Sequence, residues 1–341
     1  MNTSDVTALV LTVGESFTDR AVASVRRQTL PAAEIIVVRD VAPFYRALNN
    51  GAARVRTDFF IQVDADMILD DNCIEDLRNC MSEGVGIVVG HLHDPLLGQI
   101  VGVKLFRTQC FKGVELREST SPETNFVADI LRQGWTTVYA VKETEDSPTP
   151  VRVFGQHRPD YTPYYTFCKY MREGAKARYR KAGPGFRSVF RQLHNSGHEA
   201  ATIAIIAAAH GIFLTAEGDL YGPFEQSEGF EWLEQFLQNG RTHEDCPTVE
   251  ADLQTGDFSD IFRLWYKLGI GLRHQHDSPA FLKFMSQLRE KEDVRAWVSL
   301  VGLCHGLFID HYDDTDAGKA FMLLSDLLPL ITSTSPARES C

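Results

Sequence analysis

The first 90 residues alternate between short apolar runs and segments whose apolar residues recur every three or four positions. The runs predict β-strands and the periodic segments predict α-helices. The predicted strands are Thr7–Val13, Glu34–Val38 and Phe59–Val63, and the predicted helices are Ala21–Gln28 and Ala42–Val55. This alternation is typical of an α/β fold with a mostly parallel sheet between helices, in which ligands bind beyond the carboxyl ends of the strands.

The pattern becomes helical in the second half of the chain. Strands are still predicted at Gly84–Gly90, Ile100–Phe106 and Thr136–Val141, with a helix at Asn125–Gln133. After Pro163 only helical periodicities follow, and stripes beginning at Phe258 and Phe281 have the spacing of self-packing amphipathic helices. The segment Gly218–Glu228 is rich in Gly, Pro and acids. We therefore predict two domains, residues 1–220 and an all-helical C-terminal domain at 221–341.

Composition narrows the class of protein. The 341 residues are 44% hydrophobic and 23% charged, which are ordinary globular proportions. The formal net charge of −12 disfavours nucleic acid as a partner, because phosphate backbones are bound by concentrated Lys and Arg. Seven scattered cysteines without a CxxC pair favour neither a zinc ribbon nor a disulfide framework and fit a reducing cytoplasm. The sequence says nothing about oligomeric state.

Two segments bear on membrane contact. Residues 167–191 carry eight Lys or Arg against one acid, Glu173. Three interpretations stay open: a solvated helix face, a clamp on a diphosphate or anionic acceptor, and a peripheral membrane contact through 169–191 at the inner face of the membrane. The longest apolar run, Ala200–Leu214, is shorter than the roughly 20 residues that a spanning helix needs and predicts a buried helix.

The candidate chemistry centres on two carboxylates that directly follow the third strand. Asp64 and Asp66 are separated by one residue, so the turn after the strand can direct both towards the space in front of the sheet. Two such oxygen ligands suit Mg²⁺ or Mn²⁺, which keep open positions for a substrate diphosphate. The alternative is a solvated turn in which Asp66 caps the next helix.

Residues 8–157 resemble the GT-A glycosyltransferases of the large family 2 type. The resemblance is carried by a series of motifs in matching order: the opening strand at Ala8, AVASVRRQT at 21–29, EIIVVRD at 34–40, ALNNG at 47–51 and VDAD at 63–66. It implies a GT-A fold in which residues 1–220 form the nucleotide-sugar-binding catalytic domain with connecting helices.

The resemblance also implies roles for individual residues. Thr12, Glu15, Asp40 and Asp64 would bind the nucleotide, and Asp66, Asp64 and His157 would hold Mn²⁺ or Mg²⁺. Glu123 occupies the position of the general base of inverting members, and a helix N-terminal cap is its alternative role. The sequence departs from the family motifs at Arg39, Leu48 and Pro122.

The function that follows is a metal-dependent inverting glycosyltransferase acting in the synthesis of a polysaccharide or glycoconjugate. It would move a sugar from a nucleotide diphosphate donor, a UDP-sugar ahead of a GDP- or dTDP-sugar, to a hydroxyl of a glycan or glycoconjugate acceptor. Two alternatives remain: a nucleotidyltransferase, and a non-catalytic glycan-binding or scaffolding protein on the same fold. Val13–Thr18 lacks the basic Gly-rich loop usual in nucleotidyltransferases.

Overall fold

The computed structural model describes residues 4–119, 122–140, 152–179, 183–213, 227–239, 256–291 and 293–329. The chain divides into two compact units, residues 1–160 and 161–341. The first unit is built on a β-sheet and the second is helical in its described residues.

Eight strands and four helices make up the described part of the N-terminal unit. The strands are β1 (Val6–Thr12), β2 (Glu34–Arg39), β3 (Phe59–Asp64), β4 (Met67–Leu69), β5 (Val85–Asp94), β6 (Gly98–Arg107), β7 (Thr136–Tyr139) and β8 (Val153–His157). The helices are α1 (Thr18–Arg26), α2 (Phe44–Ala52), α3 (Cys73–Asn79) and α4 (Pro122–Arg132), and a short 3₁₀ helix spans Thr108–Phe111.

The strands form one mixed sheet in the order β2-β1-β3-β6-β5-β8-β4, with β7 beside β5. The first three strands are parallel, as their alternation with helices predicts. Strand β6 is antiparallel to both of its neighbours. Only residues 95–97 join β5 to β6, and so short a turn can connect only antiparallel strands. The α/β architecture is therefore as predicted, with more antiparallel pairing than the sequence pattern indicates.

Helices cover both faces of the sheet. On one face, Val6, Ala8 and Val10 of β1 pack in a core with residues of α1 and α3. On the other, Leu9 and Leu11 share a core with residues of α2 and α4. Because side chains alternate along a strand, the second face becomes polar towards the carboxyl end of β3.

Eight helices make up the described part of the C-terminal unit. They are α5 (Pro163–Tyr179), α6 (Gly183–Asn195), α7 (Ala201–Gly211), α8 (Ser227–Asn239), α9 (Phe258–Gln275), α10 (Ser278–Arg289), α11 (Val294–Gly306) and α12 (Asp314–Ser325). The apolar stripes of α9 and α10 are mostly buried, as predicted for self-packing helices. None of the described helices is long and apolar enough to cross a bilayer.

The division between the units falls earlier than the boundary drawn from composition. The predicted boundary at 220/221 lies outside the described residues, while the structure separates the units after Asp160. Helices α5 and α7 approach very closely: a Cβ at Gly174 would lie 2.1 Å from the carbonyl oxygen of Ala208, and one at Gly211 would lie 2.0 Å from that of Met171. The division after Asp160 therefore places both helices, which fall within the predicted first domain, in the helical unit.

Candidate functional site

The carboxyl ends of β2, β1 and β3 meet at one edge of the sheet. In the pairing register Thr12 lies beside Arg39, and Leu11 lies beside Asp64. Asp40 follows β2 directly and donates its backbone N–H to the carbonyl of Thr12 at 3.0 Å. The sheet therefore brings together Thr12, Asp40 and Asp64, three residues that the sequence predicts at the site.

The loop after β1 is organised by its own side chains. The buried Thr12 hydroxyl donates to Oε2 of Glu15 at 2.7 Å and accepts the backbone N–H of Gly14 at 3.0 Å. The same Glu15 oxygen accepts the backbone N–H of Val13 at 2.8 Å. These bonds fix the loop conformation at the site edge, so one oxygen of Glu15 has a structural role.

Asp40 turns the chain sharply after β2. Its φ of 56° lies in the left-handed region, which Asp tolerates better than most residues because its short side chain can bond locally. The residue is exposed at the site edge. Its carboxylate is therefore accessible to a ligand beside Thr12.

The position of Asp64 disfavours the charged form of its carboxyl group. Burial, and secondarily the nearby charge of Asp66, raises its pKa to about 7. Gln62 donates its Nε2–H to Asp64 Oδ1 at 3.1 Å and partly opposes this shift, while Glu123 adds to it. Two carboxylates in one partly buried place favour either a retained proton or a bound cation.

Asp66, His157 and Asp94 form a chain of three contacting side chains. His157 Nε2 lies 3.1 Å from Asp66 Oδ2, and His157 Nδ1 lies 2.6 Å from Asp94 Oδ2. Asp94 is completely buried, and its other oxygen accepts the backbone N–H groups of Leu96 and Leu97. Both neighbours are carboxylates and can only accept, so we assign the single proton of the neutral ring to Nδ1, which faces the closer and completely buried Asp94. The lone pair of Nε2 then points towards Asp66, as in a metal-binding imidazole whose other nitrogen is held by a carboxylate.

Strands β4 and β8 bring His157 to this position. The two strands are antiparallel, with His157 opposite Met67 and Gly155 opposite Leu69. The backbone N–H of Arg158 donates to the carbonyl of Asp66 at 2.6 Å. The chain after β8 is thus attached directly to the turn that carries Asp66, although the two segments are distant in the sequence.

Glu123 lies in the first turn of α4 and pairs with a lysine. Lys104 Nζ is 2.6 Å from Glu123 Oε1, and the Lys104 side chain is 14% exposed. Lys104 stands opposite Gln62 in the β3–β6 register, and its charge lowers the pKa of Asp64 while that of Glu123 raises it. Glu123 therefore lies within electrostatic reach of Asp64, so the structure brings the predicted base to the carboxylate site.

The side chains at the site suit a divalent ion whose remaining ligands come from a bound substrate. Asp66 offers a carboxylate oxygen and His157 an imidazole nitrogen, a combination that Mn²⁺ accepts. In the described part of the chain no three His, Cys, Asp or Glu side chains are already gathered around a common ion position. The remaining ligands would have to be diphosphate oxygens and water, which is usual for Mg²⁺ at phosphate sites.

The sequence motifs assign no role to two residues of the site. Asp94 follows a predicted strand by a few residues and looks like an ordinary turn aspartate, and the backbone N–H groups it accepts are those of such a turn. Lys104 lies within a predicted strand. Only the pairing of distant strands shows that Asp94 faces His157 and that Lys104 faces Glu123.

The basic stretch 169–191 lies in the C-terminal unit, on α5 and α6. Lys169 lies over the rings of Tyr161, Tyr165 and Tyr170, with Nζ to ring-centre distances of 5.2 to 5.9 Å. Residues 180–182, and the side chains of 179–188, lie outside the described part of the chain. The three interpretations of this stretch, membrane contact included, therefore stay open.

The comparisons with known proteins give structural likenesses alone. No protein-family model matches the chain, and no curated protein matches it. Among solved structures, the mannosyltransferase PcManGT of Pyrobaculum calidifontis, in complex with GDP-Man and Mn²⁺, is 11% identical with a TM-score of 0.42, over 91% of this chain and 88% of that one.

S. aureus TarS 1–349 is 10% identical with a TM-score of 0.34, and its complex with UDP is 12% identical with a TM-score of 0.35. Both cover 88% of this chain and 89% of the other. PcManGT is a glycosyltransferase, the class that the sequence motifs resemble. At these identities and TM-scores the likeness carries no functional conclusion, so the function has to be inferred from this chain's own residues.

Proposed function

We propose that this chain is a metal-dependent inverting glycosyltransferase that moves a sugar from a nucleotide diphosphate donor to a hydroxyl of a glycan or glycoconjugate. The observation that carries the proposal is the Asp66–His157–Asp94 chain at the sheet edge that also holds Thr12, Asp40 and Asp64. A site of this kind combines a cation position with space beyond the strand ends, where α/β folds bind nucleotides.

Asp66 and His157 would hold Mn²⁺ or Mg²⁺, with Asp64 beside them. When bound, such an ion neutralises the charge that develops on the departing diphosphate. The raised pKa of Asp64 supports this assignment, because a cation relieves the repulsion between Asp64 and Asp66. Asp94 keeps the Nδ1 proton of His157 in place and so leaves Nε2 available as a ligand.

Thr12, Glu15 and Asp40 would form the nucleoside side of the site. Asp40 is exposed at the end of β2, and the Thr12–Glu15 hydrogen bond holds the neighbouring loop. A rigid loop lowers the entropic cost of ordering a ligand-binding surface. The donor would be a UDP-sugar ahead of a GDP- or dTDP-sugar.

Glu123 would take the proton of the acceptor hydroxyl as that oxygen attacks the anomeric carbon from the face opposite the diphosphate. Its ion pair with Lys104 holds the carboxylate on the Asp64 side of the sheet. Glu123 is partly exposed, which is needed for an acceptor to reach it.

The test is product analysis with a panel of nucleotide sugars, Mn²⁺ and candidate glycan acceptors. Glycosyl transfer or donor hydrolysis releases a nucleoside diphosphate, whereas nucleotidyl transfer releases or consumes pyrophosphate. We expect nucleoside diphosphate release that EDTA stops. Pyrophosphate chemistry, or nucleotide-sugar binding without turnover, would favour one of the two alternatives instead.

A further inference from the structure

The C-terminal unit contains a cavity of about 180 Å³ between α6, α10 and α11. Three cationic side chains line it, those of Arg191, Arg289 and Lys291. Glu290 and Asp293 also line it, but both are exposed, and Asp293 accepts the backbone N–H of Ala296 as the N-cap of α11. Arg191 and Lys291 are exposed like the two carboxylates, so the half-buried guanidinium of Arg289 is the least hydrated charge on the cavity wall.

Arg289 is held by a histidine in place of an acid. Its Nε–H donates to Nδ1 of His194 at 3.0 Å, and its Nη2 donates to the His194 carbonyl at 3.3 Å. In the described part of the chain its guanidinium has no ion pair with a carboxylate, and burial lowers its pKa. A partly buried cation that lacks a counter-ion has lost hydration that a bound anion would replace.

The bond from Arg289 also fixes the tautomer of His194. Because Nδ1 accepts a hydrogen bond, the proton of the neutral ring lies on Nε2, which becomes a further donor. Burial and the charge of Arg289 lower the pKa of His194, which keeps the ring neutral. The Arg289–His194 pair thus adds hydrogen-bond donors beside the cavity.

Trp297 lies on the cavity wall. The residue is 7% exposed, and its indole nitrogen is buried without a hydrogen-bond partner among the residues that the structure describes. Because this nitrogen has almost no accessible surface, a ligand in the cavity does not bond to it, and Trp297 serves as a reporter of what the cavity binds.

We propose that this cavity binds a phosphate group, as inorganic phosphate or as the head group of a phosphorylated molecule. The cavity wall is rich in donors and cations, which match the acceptor oxygens and double charge of a phosphate. Its volume is below the roughly 300 to 1,000 Å³ typical of sites that enclose a whole ligand, so only a head group fits. The site belongs to the C-terminal unit and does not depend on the proposed transferase chemistry.

The test is a titration of the full chain with inorganic phosphate, observed through the indole N–H resonances of its four tryptophans. The Trp297 resonance is assigned with Trp297→Phe. EDTA keeps divalent ions away, and potassium chloride matches the ionic strength. We expect a saturable shift of the Trp297 resonance with phosphate and none with chloride. The Asp66→Asn variant should behave like the parent, which separates this result from that of the proposed catalytic site.

Arg289→Gln should weaken phosphate binding about tenfold, the loss expected for one charge-assisted hydrogen bond. Arg263→Gln is the matched control, because Arg263 pairs with Asp314 on α12 and does not line the cavity. If Arg289→Gln misfolds, calorimetry on Lys291→Gln, which removes another cation of the cavity wall, should also show weaker binding. The proposal is overturned by a non-saturable shift, an equal effect of chloride, or parental affinity in Arg289→Gln or Lys291→Gln.

A second experimental arm identifies the source of the phosphate. The chain is mixed with phosphatidylcholine vesicles that contain or lack phosphatidic acid. Binding that requires phosphatidic acid and Arg289 would identify a lipid head group. Saturable binding of inorganic phosphate without such vesicle binding would identify a free phosphate ligand.

Discussion

At the scale of single residues, Asp94 decides which nitrogen of His157 faces Asp66. Its carboxylate accepts a hydrogen bond from Nδ1–H, with 2.6 Å between Nδ1 and Oδ2, and is held in turn by two backbone N–H groups. This arrangement leaves the basic nitrogen on the side of Asp66. In the proposed metal site, the completely buried Asp94 would therefore make His157 Nε2 available as a ligand.

Asp94→Asn should lower Mn²⁺ affinity by about 10- to 100-fold, the usual effect of losing a residue that orients a metal ligand. The backbone N–H groups of Leu96 and Leu97 keep the amide oxygen on their side, so the NH₂ faces His157 and moves the ring proton to Nε2. Mn²⁺ titration followed by electron paramagnetic resonance, with nucleoside diphosphate present, measures the affinity. Asp71→Asn, at an exposed ion pair, is the control. Unchanged affinity in Asp94→Asn would remove Asp94 from the site.

Glu123→Gln should lower the transfer rate by roughly two to four orders of magnitude while leaving donor affinity near that of the parent. The change keeps the size of the side chain and removes the charge that accepts the proton. Steady-state transfer and donor calorimetry measure the two quantities, and Asp129→Asn on the same helix is the control. A loss of about 1 kcal/mol in stability with normal transfer would instead assign Glu123 to the helix terminus.

The sequence predicts the residues at strand ends better than those inside strands. Asp64 and Asp66 follow a clear apolar strand, and that position alone places them at the ligand edge. The family resemblance helps to assign roles to five further residues, and these roles stay predictions. The residues are His157, Glu123, Thr12, Glu15 and Asp40. Asp94 and Lys104 could not be assigned, because their partners come from strand pairs and a helix that are distant in sequence.

At the scale of elements, the approach of β8 to β4 positions His157. A Cβ at Gly155 would lie 2.4 Å from the carbonyl oxygen of Ile68, so only glycine allows these strands to pair closely. The separation of the two strands determines how far His157 stands from Asp66.

Gly155→Ala should therefore destabilise the fold by about 1 to 3 kcal/mol and weaken Mn²⁺ binding, because the added methyl pushes β8 away from β4. Urea unfolding and Mn²⁺ titration measure the two effects. Gly271→Ala in α9 is the control, since a Cβ there meets nothing within 4 Å and a helix favours Ala over Gly. Parental stability and Mn²⁺ affinity in Gly155→Ala would show that β8 tolerates the displacement.

The longer and more regular strands are predicted well from the sequence, and the short or irregular ones are not. Strands β1, β2 and β3 agree with the predicted ranges to within one residue at each end. Strand β4 has three residues, too few for a periodic pattern, and β8 contains Gly155 followed by the polar Gln156 and His157. Both were missed because tertiary pairing, more than local preference, forms them.

At the scale of the whole molecule, the two units are built from different elements. The N-terminal unit carries the proposed catalytic residues on a sheet covered by helices, and the C-terminal unit is packed from helices. The glycine contacts that join α5 to α7 within the C-terminal unit connect residues distant in the sequence, which composition does not reveal.

The C-terminal unit should lose stability in acid through two histidines. Burial lowers the pKa of His210 to about 4, and burial together with His210 lowers that of His305 well below 6.5. Below pH 6.5 these two histidines therefore bind more protons in the unfolded chain than in the folded chain. Their contribution to the free energy of unfolding then falls with decreasing pH, by up to about 1.4 kcal/mol per pH unit for each histidine.

His305→Phe should reduce this pH dependence, because it removes one titrating group and keeps an aromatic ring against Phe213, whose ring centre is 3.8 Å away. Urea unfolding of parent and variant between about pH 7.5 and 4.5 measures the difference in slope. The other titrating groups contribute equally to both proteins. Identical slopes would show that His305 does not carry the acid sensitivity.

Metal-dependent nucleotide binding is tested by calorimetry of UDP, GDP and dTDP with the full chain, with and without Mn²⁺. We expect that at least one nucleotide binds only when Mn²⁺ is present, that EDTA reverses the binding, and that Asp66→Asn abolishes it. Asp71→Asn should bind like the parent. Nucleotide binding that is unchanged by EDTA or by Asp66→Asn would contradict the metal-dependent transferase site.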